Sequence, residues 1–109
     1  MLTMAACAEV GPPDGSYRVT WSLFGDCPDG DSFDLLDVDG ATLSWSTSNP
    51  NAPIGFHVDV TGTVNGDCID LPATASERAW SLCSDGADRA TGHRERIDGT
   101  CAADITATR

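Results

Sequence analysis

Apolar and polar residues alternate with period two along most of this chain. Tyr17, Val19, Trp21 and Leu23 fall on one face, and Arg18, Thr20 and Ser22 on the other. Leu43 and Trp45 alternate with Thr42, Ser44 and Ser46, and Val58, Val60 and Val64 with His57, Asp59, Thr61 and Thr63. Ala103, Ile105 and Ala107 alternate with Asp104, Thr106 and Thr108. This is the pattern of antiparallel strands with one face buried and one face wet. Between these runs, Gly follows Asp or Asn six times: Asp14-Gly15, Asp29-Gly30, Asp39-Gly40, Asn65-Gly66, Asp85-Gly86 and Asp98-Gly99. Such dipeptides supply the positive φ angles of tight hairpin turns. The pattern predicts eight strands, over 16–24, 32–38, 41–47, 56–64, 67–71, 77–83, 89–97 and 100–108. Two-residue hairpins are expected at 39–40, 65–66 and 98–99, and Gly62 marks a bulge or a close backbone approach inside its strand. No segment carries a helical period.

Eight consecutive short strands with tight turns suit an all-β, up-and-down meander, and closing it into a small barrel removes both edges. The cysteines bear on that closure. With strand directions alternating, Cys27 lies just above the top of the first strand and Cys101 near the top of the last. Those strands are neighbours only if the barrel closes. Cys68 and Cys83 lie at the bottoms of the fifth and sixth strands. Of the three possible pairings of four cysteines, only Cys27–Cys101 with Cys68–Cys83 sets both pairs at matching heights on neighbouring strands. A β-sandwich with Greek-key order is the alternative, and it does not require this pairing.

Composition narrows the class. The chain has 109 residues, enough for one domain. Its formal net charge is -11, from 6 basic and 17 acidic residues. Nucleic-acid binding requires clustered Lys and Arg, so the charge argues against it, as it argues against electrostatic docking on an anionic bilayer. All the basic residues are Arg, which reads as codon bias in a GC-rich genome. Most of the acids are Asp, a residue of turns and caps, in keeping with a helix-poor chain. No C-x-x-C pair suggests zinc. Widely spaced cysteines in a small acidic β chain read instead as disulfides of an oxidising compartment.

Cys7 is the odd cysteine. Met4-Ala5-Ala6-Cys7 resembles a bacterial lipobox, an aliphatic residue and two small residues before the cysteine that is lipidated. Met4 stands where Leu is usual, and only six residues precede Cys7, without a positive n-region. The resemblance covers these first residues alone. It implies a signal-peptide remnant over 1–7, lipid on Cys7 as a membrane anchor, a short tether over 8–15 and a single β domain over 16–109. Without it, Cys7 is an incidental thiol on a frayed terminus.

Candidate chemistry is sparse. Asp26, Asp29, Asp31, Asp34, Asp37 and Asp39 crowd one stretch. Asp29, Asp31, Asp34, Asp37 and Asp39 form a candidate Ca²⁺ set, because Ca²⁺ takes six to eight oxygen ligands. Their spacing misses the EF-hand template, and two turns flanking a strand with a solvated acidic face account for them equally. His57-x-Asp59 and His93-x-Glu95 each place two polar side chains on one strand face. The first pair is expected outward; the second would need a buried partner if its face, shared with Ile97, turned inward. There is no G-x-S-x-G elbow, phosphate loop or dinucleotide fingerprint, and no Cys–His pair once four cysteines are bridged.

Trp21, Trp45 and Trp80 all fall on the apolar parity of their strands. They are either core or the lining of a lumen, and an eight-stranded barrel has room for packed side chains or one small ligand. In architecture alone the plan resembles lipocalin-like and avidin-like barrels, with no motif of either family. The expected protein is a secreted or lipid-anchored bacterial envelope protein without catalytic residues or cofactor. It would hold a small apolar ligand against the three tryptophans. The alternatives are a protein-interaction or self-assembling surface module, and, third, a Ca²⁺-stabilised or metal-dependent enzyme.

Overall fold

In the computed structural model, residues 11–27, 33–51, 57–86 and 88–109 are described. Cys7, the first part of the expected tether, Asp29, Asp31 and strand positions 32 and 56 lie outside them. Nine strands are present among the described residues: β1 (Gly15–Gly25), β2 (Leu35–Asp39), β3 (Thr42–Ser46), β4 (His57–Thr61), β5 (Thr63–Asn65), β6 (Cys68–Leu71), β7 (Trp80–Ser84), β8 (Arg89–Glu95) and β9 (Cys101–Thr108). Among the described residues there is no helix. The strands form one antiparallel sheet in the order β4-β3-β2-β1-β9-β8-β7-β6-β5. A single sheet with first and last strands paired is the barrel, not the sandwich.

The sheet's two ends, β4 and β5, are halves of the one expected strand over 56–64, divided at Gly62. β4 pairs with β3 and β5 with β6. At the division, the Gly62 N–H donates to the Ala41 carbonyl at 2.9 Å. A Cβ on Gly62 would lie 2.2 Å from the Asp70 carbonyl oxygen. Only glycine lets the chain pass so close to both neighbours, and the barrel is nearly closed at this point.

Two hairpins differ from expectation by one position. Asp39 pairs with Thr42 and Asn65 with Cys68, so the loops are Gly40-Ala41 and Gly66-Asp67. Gly40 and Gly66 have positive φ, whereas no described non-glycine residue does. That is the type II′ arrangement, in which Gly takes the first loop position and the preceding Asp or Asn ends the strand. The pairing slides by two residues in total, so every side chain keeps its face. The third turn is a four-residue loop: Arg96 N–H donates to the Cys101 carbonyl and Gly99 N–H to the Arg96 carbonyl. The strand expected over 77–83 begins at Trp80, and Glu77 makes only an isolated bridge with Arg96.

Both disulfides join neighbouring strands. Cys27–Cys101 links the chain just beyond β1 to the start of β9, and Cys68–Cys83 links directly opposed residues of β6 and β7. Such bridges are compatible with an extracytoplasmic location. The lower lumen is packed solid with Tyr17, Val19, Val38, Leu43, Ile69 and Leu82, all 5 % exposed or less. Below them the end is closed. Pro12 is buried, the Tyr17 hydroxyl donates to the Pro13 carbonyl at 2.6 Å, and Arg109 stacks over the Tyr17 ring. Burial of the Tyr17 ring pushes its phenol up from its ordinary value. Gly11–Asp14, from the expected tether, therefore lie against the barrel base, where Asp14 also accepts from the Gly40 N–H.

Candidate functional site: the aromatic mouth

The other end is built differently. Inward positions of β1, β3 and β7 bring Trp21, Trp45 and Trp80 together, with ring centroids 5.6 Å apart for Trp21–Trp45 and 6.4 Å for Trp45–Trp80. Gly92 on β8 makes the space. A Cβ there would lie 2.8 Å from the Trp80 ring, which lies across the glycine. The Trp21 indole N–H donates to the Phe33 carbonyl at 2.7 Å and fixes its ring against the loop before β2. That donor is therefore already engaged within the protein.

Arg94 occupies the centre of this group. Its guanidinium carbon is 5.7 Å from the Trp21 ring centroid and 5.2 Å from that of Trp80. Both are within cation–π range. Its terminal nitrogen donates to the Glu77 carboxylate, while the buried Nε has no hydrogen-bond partner among the described residues. Glu77 is held on the short segment before β7. Its backbone bridges to Arg96, its carbonyl accepts from the Thr74 N–H, and the Arg78 N–H donates to the Glu95 carbonyl.

Two cavities of about 190 and 210 Å³ open on either side of Arg94, sharing Phe33, Glu77 and Arg94 as their common wall. Trp21, Leu23 and Ala103 line the first; Trp45, Val58 and Trp80 line the second. Leu23 and Val58 carry inward parity yet are 41 % and 44 % exposed.

The remaining candidates lie elsewhere. His93 and Glu95 face outward, correcting the inward alternative: Arg94 takes the inner face between them. His93 Nδ1 is 2.6 Å from Asp104 and Nε2 is 3.4 Å from Glu95. The Asp104 hydrogen bond, supported by Glu95, raises the imidazole above its ordinary value despite slight desolvation. His57 and Asp59 are exposed on β4, 3.8 Å apart. Asp34 accepts from both the N–H and the hydroxyl of Ser48, and these bonds hold its carboxyl below the usual range. Asp37 accepts from the Ser16 hydroxyl at 2.6 Å. Among the described residues, no three His, Cys, Asp or Glu side chains converge as a metal site.

Sequence reasoning named the three tryptophans and missed Arg94, Glu77 and Phe33. The signal for Arg94 was present. A hairpin centred on Asp98-Gly99 pairs Arg94 with Ala103 and Gly92 with Ile105, and the structure shows this register. Opposed residues share a face, so Arg94 had to point inward with Ala103.

These features define a disulfide-stapled antiparallel β-barrel, packed at its base and open at an aromatic mouth. No protein-family profile, curated protein or solved structure matches the chain.

Proposed function

We propose that this is an extracytoplasmic, non-catalytic binding protein that takes a small apolar molecule into the mouth of its barrel. The observation that carries the reading is the contrast between the two ends. The base is filled by side chains that are almost wholly buried, whereas the mouth leaves Leu23 and Val58 exposed beside a tryptophan cluster. A cavity of about 150 Å³ is enough to hold a benzene ring in a protein interior, and each of these is larger. Concave, mostly apolar sites with few polar groups are how proteins hold small ligands.

Two disulfides support an oxidising compartment, and the lipobox-like Met4-Ala5-Ala6-Cys7 supports anchoring through lipid on Cys7. The intact mass of protein from its native host tests the anchor: diacylglycerol on Cys7 is expected, and an unmodified cysteine refutes it. Binding is tested with N-phenylnaphthylamine, whose emission rises in apolar surroundings. Saturable enhancement is expected, weakened by Leu23→Phe or Val58→Phe, which fill the cavities from their exposed rims. No enhancement, or enhancement indifferent to both substitutions, would overturn the reading.

A further inference from the structure

The chain's few cations are concentrated at the mouth. Six Arg face 17 Asp and Glu over the whole sequence. Yet Arg78, Arg94 and Arg96 all line the two cavities, and among the described lining residues Glu77 is the one acid. Half of the cations have been gathered at one end of an acidic barrel. Arg78 and Arg96 meet their acidic neighbours loosely, at 4.0 Å from Glu95 and 3.8 Å from Asp98, across solvent. Contacts of this kind exchange readily for another anion.

Arg94 is set apart by burial. Its pair with Glu77 leaves the side chains 23 % and 26 % exposed, the most enclosed ion pair among those described. Its guanidinium carbon lies over the Trp21 and Trp80 rings, and its Nε finds no acceptor among the described residues. A guanidinium offers a planar fork that matches a carboxylate or sulfonate, with more donors than Glu77 alone satisfies. Apolar cavities lie directly on both sides. A ligand that filled either cavity with a ring would bring a substituent on that ring to the guanidinium.

Resting on the reading of the mouth as a binding site, the geometry points to a planar organic acid as the ligand. Its ring occupies one aromatic cavity, and its anionic group meets Arg94 in place of Glu77. Glu77 then acts as the resident carboxylate. It keeps the half-buried guanidinium paired in the empty protein and is the group that the ligand's own acid displaces.

A matched pair of probes separates the two levels of the argument. N-phenylnaphthylamine and anilinonaphthalene sulfonate share one ring system and differ by the anionic group. The sulfonate is expected to bind the intact protein about tenfold tighter, the scale of a charge-assisted hydrogen bond in a partly desolvated site. That preference should shrink as salt rises. Arg94→Met should collapse it toward one, Arg94→Lys should restore part of it, and Glu77→Gln should enlarge it. Far-UV circular dichroism with intact-disulfide mass confirms each fold, and Arg96→Gln, at the rim, should reduce the preference less. Neutral probe binding without preference for the sulfonate overturns the inference and leaves the apolar site standing. So does a preference that survives Arg94→Met. Failure of both probes overturns the site itself and the inference with it.

Discussion

Replacing Cys27 and Cys101 together by alanine should destabilise the protein more than replacing Cys68 and Cys83. The bridges close loops of very different length, with sequence separations of 74 and 15. On the chain-entropy account, the longer loop corresponds to about 4.5 kcal/mol of stabilisation and the shorter to about 3 kcal/mol. The expected gap is therefore about 1.5 kcal/mol, against a total of about 5–15 kcal/mol for a domain of this kind. The two bridges also differ in what they hold. Cys68–Cys83 joins directly opposed residues of one β6–β7 ladder, whose strands are close in sequence. Cys27–Cys101 clamps the open end of the β1–β9 ladder, which runs from Arg18↔Thr108 to Gly25↔Cys101 and joins the two ends of the chain. Ser22 to Gly25 are exposed and contribute little burial of their own. Without the clamp that end should open first, and the mouth with it.

Urea unfolding of the two double variants measures the gap. The m-value should rise more for Cys27→Ala/Cys101→Ala, because the larger cross-linked loop is released in the unfolded chain. Hydrogen exchange should quicken at 22–25 and 101–104 before it does at the base. Equal or greater destabilisation from the Cys68–Cys83 variant, with fold and m-value otherwise normal, would refute the assignment of closure to the long-range bridge.

Gly92→Ala should lower stability by about 1–3 kcal/mol, the cost of overpacking, because its Cβ meets the Trp80 ring and the Ser81 carbonyl; thermal melts read the loss, and a shift in tryptophan emission should accompany it. An NMR titration should place the His93 midpoint above the ordinary imidazole value, and Asp104→Asn should lower it. Since the folded value is raised, the associated stability is complete below the unfolded value of about 6.5 and fades as pH rises through the folded one; for a half-exposed imidazole it stays under about 1 kcal/mol. Asp34 behaves oppositely. Its lowered folded value gives a contribution present above the unfolded carboxyl value and lost as pH falls through the folded one. Ser48→Ala should move that carboxyl back up, as carbon-detected NMR of the side chain would show.

Strand positions and strand faces were legible where period-two alternation reports which side of a strand is dry, as it does in the runs that become β1, β3, β4 and β9. Even β8, rich in Arg and Glu, sits where expected. Two misplaced hairpins arose from reading Asp-Gly and Asn-Gly as the two loop residues, when in a type II′ turn the Gly alone leads the loop. The division at Gly62 could be suspected from a glycine inside a strand, but not its consequence. That the two halves of one strand would serve different neighbours depends on barrel curvature, which no local pattern encodes. The missed site residues share one cause. Arg94 and Glu77 are charged, and a charged residue in a strand reads as solvent-facing until the register of its neighbour is worked out. Phe33 was placed inside the strand expected over 32–38, but β2 begins at Leu35, so Phe33 enters the mouth from the segment before it.

The inner wall changes character at one level of the barrel. Below it stand Val19, Val38, Leu43, Ile69 and Leu82, apolar side chains that fill the lumen. Above it stand three tryptophans, an arginine with its glutamate, and the small residues Gly92 and Ala103 on the adjoining strands. For stability alone, aliphatic residues would serve the upper level better. An apolar replacement of a buried ion pair is often neutral or stabilising, and a close-packed layer would cover Leu23 and Val58. The chain instead keeps a half-buried cation and, among the described residues, leaves one of its donors without an acceptor. A fold that is consistent everywhere else departs from its own rules at one end, and such departures are where sites are built. The mouth is read as a binding site for that reason, and the arginine at its centre indicates the charge of what it binds.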